Sequence, residues 1–419
     1  MQGEKNFGKL FCDFYCDLYA NKVPNSASQD LKYYISCRQN RLKRLNIEEK
    51  YKLKIEEQNG IYRSNNIFSD ILGTSKFNTA KYWRIINYTR NYKSGEKIID
   101  KKKCRAYLYE TIYDVSNKED ISKEIYNCPN CGAPAQIGEL ENTGCKYCGT
   151  KFEMDDLFPK ISNYYTTQCA DTSMKDRKRF IKICGLICSI ILTIVFYLSK
   201  NIEITNSVLK LVSSIFVFGI TFFLGCIAGS ILWLFSVLIK TIVSAESNSD
   251  IISISKSSKE QINKKIEQII PNLKYEYFES KVVSLVKSIL INDTRDQLPQ
   301  NNVEKIDKSF DYLVDMMYRS VIKLKDIRID ENRVVAEIYA YFNNDYYADG
   351  KIINVNECIL VTMHHDVNSR INTQFMLSAV NCKGCGASFD ATHQKKCPHC
   401  GREYSLEKDD WVVDNIQKV

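Results

Sequence analysis

Four pairs of cysteines are the residues best placed to do chemistry: Cys128-Pro-Asn-Cys131-Gly, Cys145-Lys-Tyr-Cys148-Gly, Cys382-Lys-Gly-Cys385-Gly and Cys397-Pro-His-Cys400-Gly. Two thiolates at C-x-x-C spacing can reach one metal. Thirteen residues part the first two pairs and eleven the second two, so each couple can close four sulfurs around a single ion. A tetrahedron of soft sulfur ligands suits zinc. The glycine after each second cysteine supplies the left-handed backbone that such a turn often needs. Protein fills all four positions, so no bound water is left to activate, and the expected role is structural. The expectation is two zinc ions, held by Cys128, Cys131, Cys145, Cys148, Cys382, Cys385, Cys397 and Cys400. Iron and redox-active dithiols are the competing readings.

Other chemistry is sparse. His399 and His393 could each replace a cysteine, but four cysteines already complete the ligand set of that site. His364-His365-Asp366 resembles a metal cluster only superficially, because adjacent residues on a strand point to opposite faces. No glycine-rich phosphate loop occurs. No nucleophile with its base and no matched acid–base pair stands out, so no catalytic residue is named and an enzyme is not expected.

The elements that position these cysteines divide the 419-residue chain, which is long enough for two or three folding units. With 44% hydrophobic and 26% charged residues it reads as folded protein. No cleavable signal peptide is evident, so the 17 cysteines read as metal ligands and buried thiols, not disulfides. Cys184, Cys188 and Cys226 belong to the second kind. The whole net charge of +8 lies in residues 1–120. That asymmetry favours an acidic partner such as anionic lipid or nucleic acid. A plain solvated helical face is the alternative.

Two uncharged apolar runs, Ile183–Ser199 and Leu211–Ile239, predict a two-span transmembrane helical hairpin over 180–242. Lys175, Arg177, Lys178, Arg179 and Lys182 precede the first run, which puts both termini in the cytoplasm at the cell membrane. Residues 1–120 read as a basic, mostly helical region. Phe7, Leu10, Phe11, Phe14 and Leu18 follow helical spacing, and so does Leu31 to Gln58. Lys81, Tyr82, Trp83, Arg84, Tyr88, Arg90, Tyr92 and Lys93 read as an amphipathic helix with Trp83 inward, or else as a base- or headgroup-binding patch. Arg105 to Val115 alternates like a strand. A zinc ribbon follows at 121–155, and Ser244–Ser258 reads as a linker. Beyond it, helices are expected around Phe278–Ile289 and Phe310–Met317. Strands are expected at 320–329, 333–347, 352–365, 371–381 and 410–416, which makes an α+β domain.

Residues 255–419 resemble the Tim-forty-four-like domain, the membrane-associated module named for an anchor subunit of the mitochondrial import motor. The resemblance rests on the helices around Phe278–Leu290 and Phe310–Tyr318 and on the closing Trp411-x-x-x-x-Ile416. It covers about two-fifths of the chain and is nearest to bacterial membrane proteins that combine this domain with zinc ribbons. It implies a cone-shaped nuclear-transport-factor-two-like α+β fold around an apolar pocket, here with a ribbon inserted at 382–403. The function it implies is that of a membrane-anchored scaffold or adaptor binding a protein partner. Nucleic-acid binding through the basic N-terminal region is the alternative, and an enzyme using the cone pocket is a third. Strands 371–381 and 410–416 are expected to pair, with Trp411 buried.

Overall fold

Helical spacing and a good cap build the first two helices of the computed structural model. It describes residues 8–55, 68–72, 77–115, 121–123, 125–131, 133–168, 174–199, 207–270, 275–368, 379–390, 395–404, 406–408 and 410–419. Helix α1 (Gly8–Tyr19) buries Phe11, Phe14, Tyr15 and Leu18 along one stripe. Phe7 lies outside the described residues. Helix α2 (Gln29–Arg44) starts at Ser28, whose Oγ accepts from the Leu31 amide at 3.2 Å. It stops well short of the expected Gln58, because Asn46 takes a positive φ of 56°. From there the sequence alternates, and Glu48–Ile55 is strand β1.

Strand β2 (Phe68–Leu72) pairs with β3 (Phe77–Ser94), which turns at Gly95 into β4 (Lys97–Val115). The helix expected over 81–93 is therefore a strand, and the N-terminal region is not mostly helical. The side chains tell the same story. Arg84, Ile86, Tyr88, Arg90 and Tyr92 are buried while Asn87 is exposed, a period of two. The side chains of Lys81, Tyr82 and Trp83 lie outside the described set. A small module follows, with β5 (Ile125–Asn127) against β6 (Pro134–Gln136), then α3 (Ile137–Asn142) and α4 (Met154–Leu157). Strand β7 (Lys160–Gln168) rejoins the sheet beside β4, giving the order β1-β3-β4-β7 with β2 on β3.

Helices α5 (Met174–Ser199) and α6 (Ser207–Ile269) come next, and the Ser-rich stretch read as a linker is part of α6. Residues Gln168–Ile252 form one compact unit. Among the described residues one stretch, Val212–Ile239, is long and apolar enough to cross a membrane, where two were expected. Within this unit the two helices run antiparallel along a seam of small residues. A Cβ placed on Gly225 would stand 2.7 Å from Cys188 Cβ, and one on Gly229 2.7 Å from Cys184 Cβ. The Thr193 and Thr221 hydroxyls lie 3.5 Å apart, and the Phe180 and Trp233 rings meet at 5.4 Å. Only small side chains allow backbones so close. Cys184, Cys188 and Cys226 sit half-buried in this seam.

The C-terminal part opens with α7 (Tyr275–Ile291), whose Phe278, Val282, Leu285, Val286 and Ile289 are fully buried. The helix expected at Phe310–Met317 is instead one 3-10 turn, Lys308–Tyr312, running into β8 (Leu313–Asp330). Strands β9 (Arg333–Ala348) and β10 (Lys351–Asp366) continue the sheet. Strands β11 (Ala379–Asn381) and β12 (Ser388–Asp390) pair only with each other. Strand β13 (Val412–Lys418) closes the larger sheet in the order β13-β10-β9-β8, with Val361 opposite Ile416. The final strand thus pairs with β10, and the described end of the range expected to pair with it, β11, pairs with β12 instead. Of that range, 371–378 lies outside the described residues.

The inner face of this sheet (Val334, Ala336, Ile338, Ala340 and Phe342) is filled by side chains packed in one core with α7. Trp411 is completely buried there, against Phe278 at 5.5 Å and His365 at 4.4 Å between ring centroids. Residues Met1–Thr167 and Ser253–Val419 form one compact unit, in which α2 packs on α7.

Candidate metal centres

The chain brings the eight cysteines together in two clusters of four. In the first, Sγ atoms of Cys128 and Cys148 lie 3.6 Å apart, as do those of Cys131 and Cys145. In the second, Cys382 and Cys400 lie 3.5 Å apart, and Cys385 and Cys397 3.7 Å. All four sulfurs of each set fall within 4.8 Å of one another. A tetrahedron with metal–sulfur bonds of about 2.3 Å has sulfur–sulfur edges of about 3.8 Å, so each cluster fits one ion with every position taken by protein.

Local backbone chemistry makes these corners. The Gly149 amide donates to the Cys145 carbonyl at 2.8 Å, Gly386 to Cys382 at 2.8 Å and Gly401 to Cys397 at 2.8 Å. Each closing turn leaves its glycine in the left-handed region, with φ of 71°, 73° and 74°. Gly132, the fourth of the series, lies outside the described residues. The Gly384 amide points at Cys382 Sγ, 3.3 Å away. This amide acts together with that of Cys385, the larger contributor. They hold the Cys382 thiol down at about 6. Cys148 is lowered to about 6 by hydrogen bonding to the Thr150 hydroxyl, 3.3 Å from its sulfur, and to the Thr150 amide. Donors aimed at sulfur favour the thiolate, the form that binds metal.

Thr150 was not singled out from sequence, although its position two residues after the last cysteine is the signal that would have found it. Asn130 secures it, donating to its hydroxyl at 2.8 Å.

Each centre has its own packing. Ile121, Tyr126, Ile137, Leu140, Met154, Leu157 and Phe158 bury Cys128 and Cys145 in a separate small core. Among the described residues, the second module packs Phe389 and Tyr404, edge to face at 5.7 Å, around Cys382 and Cys397. His399 is exposed beside the second cluster and outside its ligand set. His393 lies outside the described residues. His364 and His365 end β10 as expected, but both are buried. His364 Nδ1 lies 2.6 Å from Asp414 on β13, and Nε2 lies 3.6 Å from Glu407. His364 thereby ties the exit of the second module to the sheet, and among the described residues neither histidine belongs to a cluster that could hold a metal.

The aromatic–basic run of β3 also finds partners inside the protein. Arg84 pairs with Glu110 at 2.9 Å and Arg90 with Asp345 at 2.5 Å. Arg38 grips both carboxylate oxygens of Glu49 at 2.7 Å and lies 3.0 Å from Asp315. Burial works against the ionised Asp315. The guanidinium groups of Arg38 and Arg90, with the Tyr34 hydroxyl, nevertheless hold its carboxyl below the ordinary range. This network joins α2, β1, β3, β8 and β9. Sequence reading missed it because its members are spread over some 300 residues.

No family model, curated protein or solved structure matches the chain.

Proposed function

We propose that the chain is a membrane-anchored scaffold that holds two zinc ions structurally and presents its folded unit to a protein partner at the cytoplasmic membrane surface. The observation that carries this reading is two closed four-sulfur clusters in a chain that also contains an apolar 28-residue span, Val212–Ile239. Exposed side chains such as Ile187, Ile191, Phe216, Phe223 and Phe235 coat the helix pair. Water penalises an apolar surface of that extent, and lipid does not.

In this reading α5 supplies a second crossing. Its uncharged stretch from Ile183 to Ser199 is lengthened by Phe180, Ile181 and the stem of Lys182. The exposed Arg177, Lys178, Arg179 and Lys182 favour a cytoplasmic start, and two crossings return the C-terminus to the same side. Sulfur-only ligation with no open position supports zinc in a structural role. The succession α7, four-stranded sheet and buried Trp411 supports a Tim-forty-four-like cone, with its inner face filled. A filled face favours binding at the outer surface over a reaction in a pocket. Burial of Arg84, Tyr88, Arg90 and Tyr92 withdraws half of the aromatic–basic run that suggested nucleic acid.

Crosslinking in intact cells tests the reading. The chain is expected in the membrane fraction, joined to a protein whose capture is lost when Cys131→Ser opens the first cluster. A chain recovered as soluble protein, with no protein adduct, would overturn it.

A further inference from the structure

The five-stranded sheet has one face under α1 and α2, and the opposite face carries a set of exposed lysines. Strand β1 turns Glu49 inward and leaves Lys50, Lys52 and Lys54 exposed. Strand β4 buries Ala106 and Leu108 and leaves Lys101, Lys103 and Arg105 on the outer side, the two lysines exposed and the arginine half-buried. The register sets these cations in three rows across β3: Lys50–Asn91–Lys101, Lys52–Thr89–Lys103 and Lys54–Asn87–Arg105. Strand geometry spaces the rows by about 7 Å, and the two cations of a row by about 10 Å. Among the described residues of β1, β3 and β4, the outer face offers one carboxylate, Glu48, 3.1 Å from Lys50.

We infer that this face is a docking surface for anionic lipid headgroups, an inference that rests on the membrane reading above. The array is a plane of separated cations, matched to a plane of separated anions. Between its two columns of cations β3 presents Asn91, Thr89 and Asn87, none of them a ring on which a base could stack, as single-stranded nucleic acid requires. The opposite edge of the sheet, β7, ends at Gln168, and five residues separate it from the start of α5 at Met174. So short a tether keeps the sheet at high effective concentration near whatever surface the helix pair enters. Each lysine near an anionic leaflet strengthens binding about fivefold, and the attraction fades within a Debye length of about 8 Å at physiological salt.

The test uses the full chain reconstituted in phosphatidylcholine vesicles with or without phosphatidylserine. A photoreactive benzoylphenylalanine replaces the exposed Asn87. Lipid adducts are expected with phosphatidylserine, and are expected to vanish without it and in high salt. The quadruple variant Lys52→Gln, Lys54→Gln, Lys101→Gln, Lys103→Gln should need hundreds-fold more anionic lipid surface for the same yield. The salt series on the unsubstituted lysines reads the same contact should that variant misfold. A carbonate-resistant chain that never crosslinks lipid overturns the inference and leaves the membrane reading standing. A chain stripped off by carbonate overturns both. Adducts to an added oligonucleotide, with the same charge sensitivity and no lipid adduct, overturn it in favour of nucleic acid.

Discussion

Replacing Trp411 with alanine tests whether the last strand belongs to the main core. The side chain is completely buried between Phe278 of α7 and His365 of β10. Its backbone amide donates to Asp410 Oδ1 at 2.8 Å, a bond that truncating the side chain leaves in place. Asp410 in turn meets Lys281 at 2.6 Å, so α7 and the approach to β13 are joined twice, by packing and by charge. A buried tryptophan withdraws about 150–250 Å² from water, which is about 4–6 kcal/mol at 25 cal/mol per Å². Cavity-forming substitutions of this size cost about 3–5 kcal/mol. The two estimates meet near 4 kcal/mol, which for a unit of this size lowers the melting midpoint by about 6 °C. The indole Nε1 has no hydrogen-bond partner, so Trp411→Phe loses no polar contact and should cost less than half as much. Far-UV circular dichroism melts of the detergent-solubilised chain measure both. An alanine variant melting with the parent would refute the placement of Trp411 in a shared core. Deleting 382–419 should do greater harm, because it strips the β10 edge and leaves Lys281 buried without Asp410.

Four further outcomes are expected. Elemental analysis of purified protein should find about two zinc ions per chain, and about one after Cys131→Ser, whose module should loosen because folding and binding are coupled there. A membrane-impermeant thiol reagent applied to intact cells should label a cysteine placed at Asn206 but not one at Ser405, above the background of native cysteines; the reverse pattern sinks the topology. Arg38→Met should cost about 3–5 kcal/mol by urea melts, since it leaves Glu49 and Asp315 as buried anions short of a partner. Asp30, its carboxyl pushed up to about 6 chiefly by burial, binds its proton more tightly folded than unfolded. Its contribution is whole below about pH 4 and lost as pH rises through about 6. The parent should therefore lose stability relative to Asp30→Asn across that window, and parallel pH profiles would contradict the assignment.

The two four-cysteine clusters were legible in the sequence because everything they need is local. Two cysteines, the turn between them and the glycine after them span five residues, and four repeats of that spacing admit few other uses. The strands at 333–347 and 352–365 were legible for a similar reason: β9 buries every second residue from Val334 to Phe342. Legibility failed where both faces of an element are buried. Leu313, Val314, Asp315 and Met316 are all inside, so β8 begins without alternation and its apolar residues fall by accident at helical intervals. Pairing of the last strand failed differently. Residues 382 and 400 do meet, but β11 is satisfied within its own module by β12, which frees β13 to take the open edge of β10.

The strand at 81–93 was misread because its charges lie on the wrong face for a simple hydropathy rule. Arg84 and Arg90 alternate with Asn87, Thr89 and Asn91, so the cations mark the buried side and the neutral residues the wet one. Burying a guanidinium alone is prohibitive, and it becomes tolerable only because Glu110, Asp315 and Asp345 arrive from β4, β8 and β9. Those carboxylates cannot be assigned to the arginines from the local sequence. The same pairing explains how the net charge is used. Arginines that would have made a diffuse basic helix are consumed in fastening β3 to β4 and to the C-terminal sheet, and the positive excess that reaches solvent is carried mainly by lysines. That division suits the two residue types. The planar fork of arginine serves the fixed pairs inside, and the hydrated, flexible ammonium of lysine serves a mobile anionic surface outside.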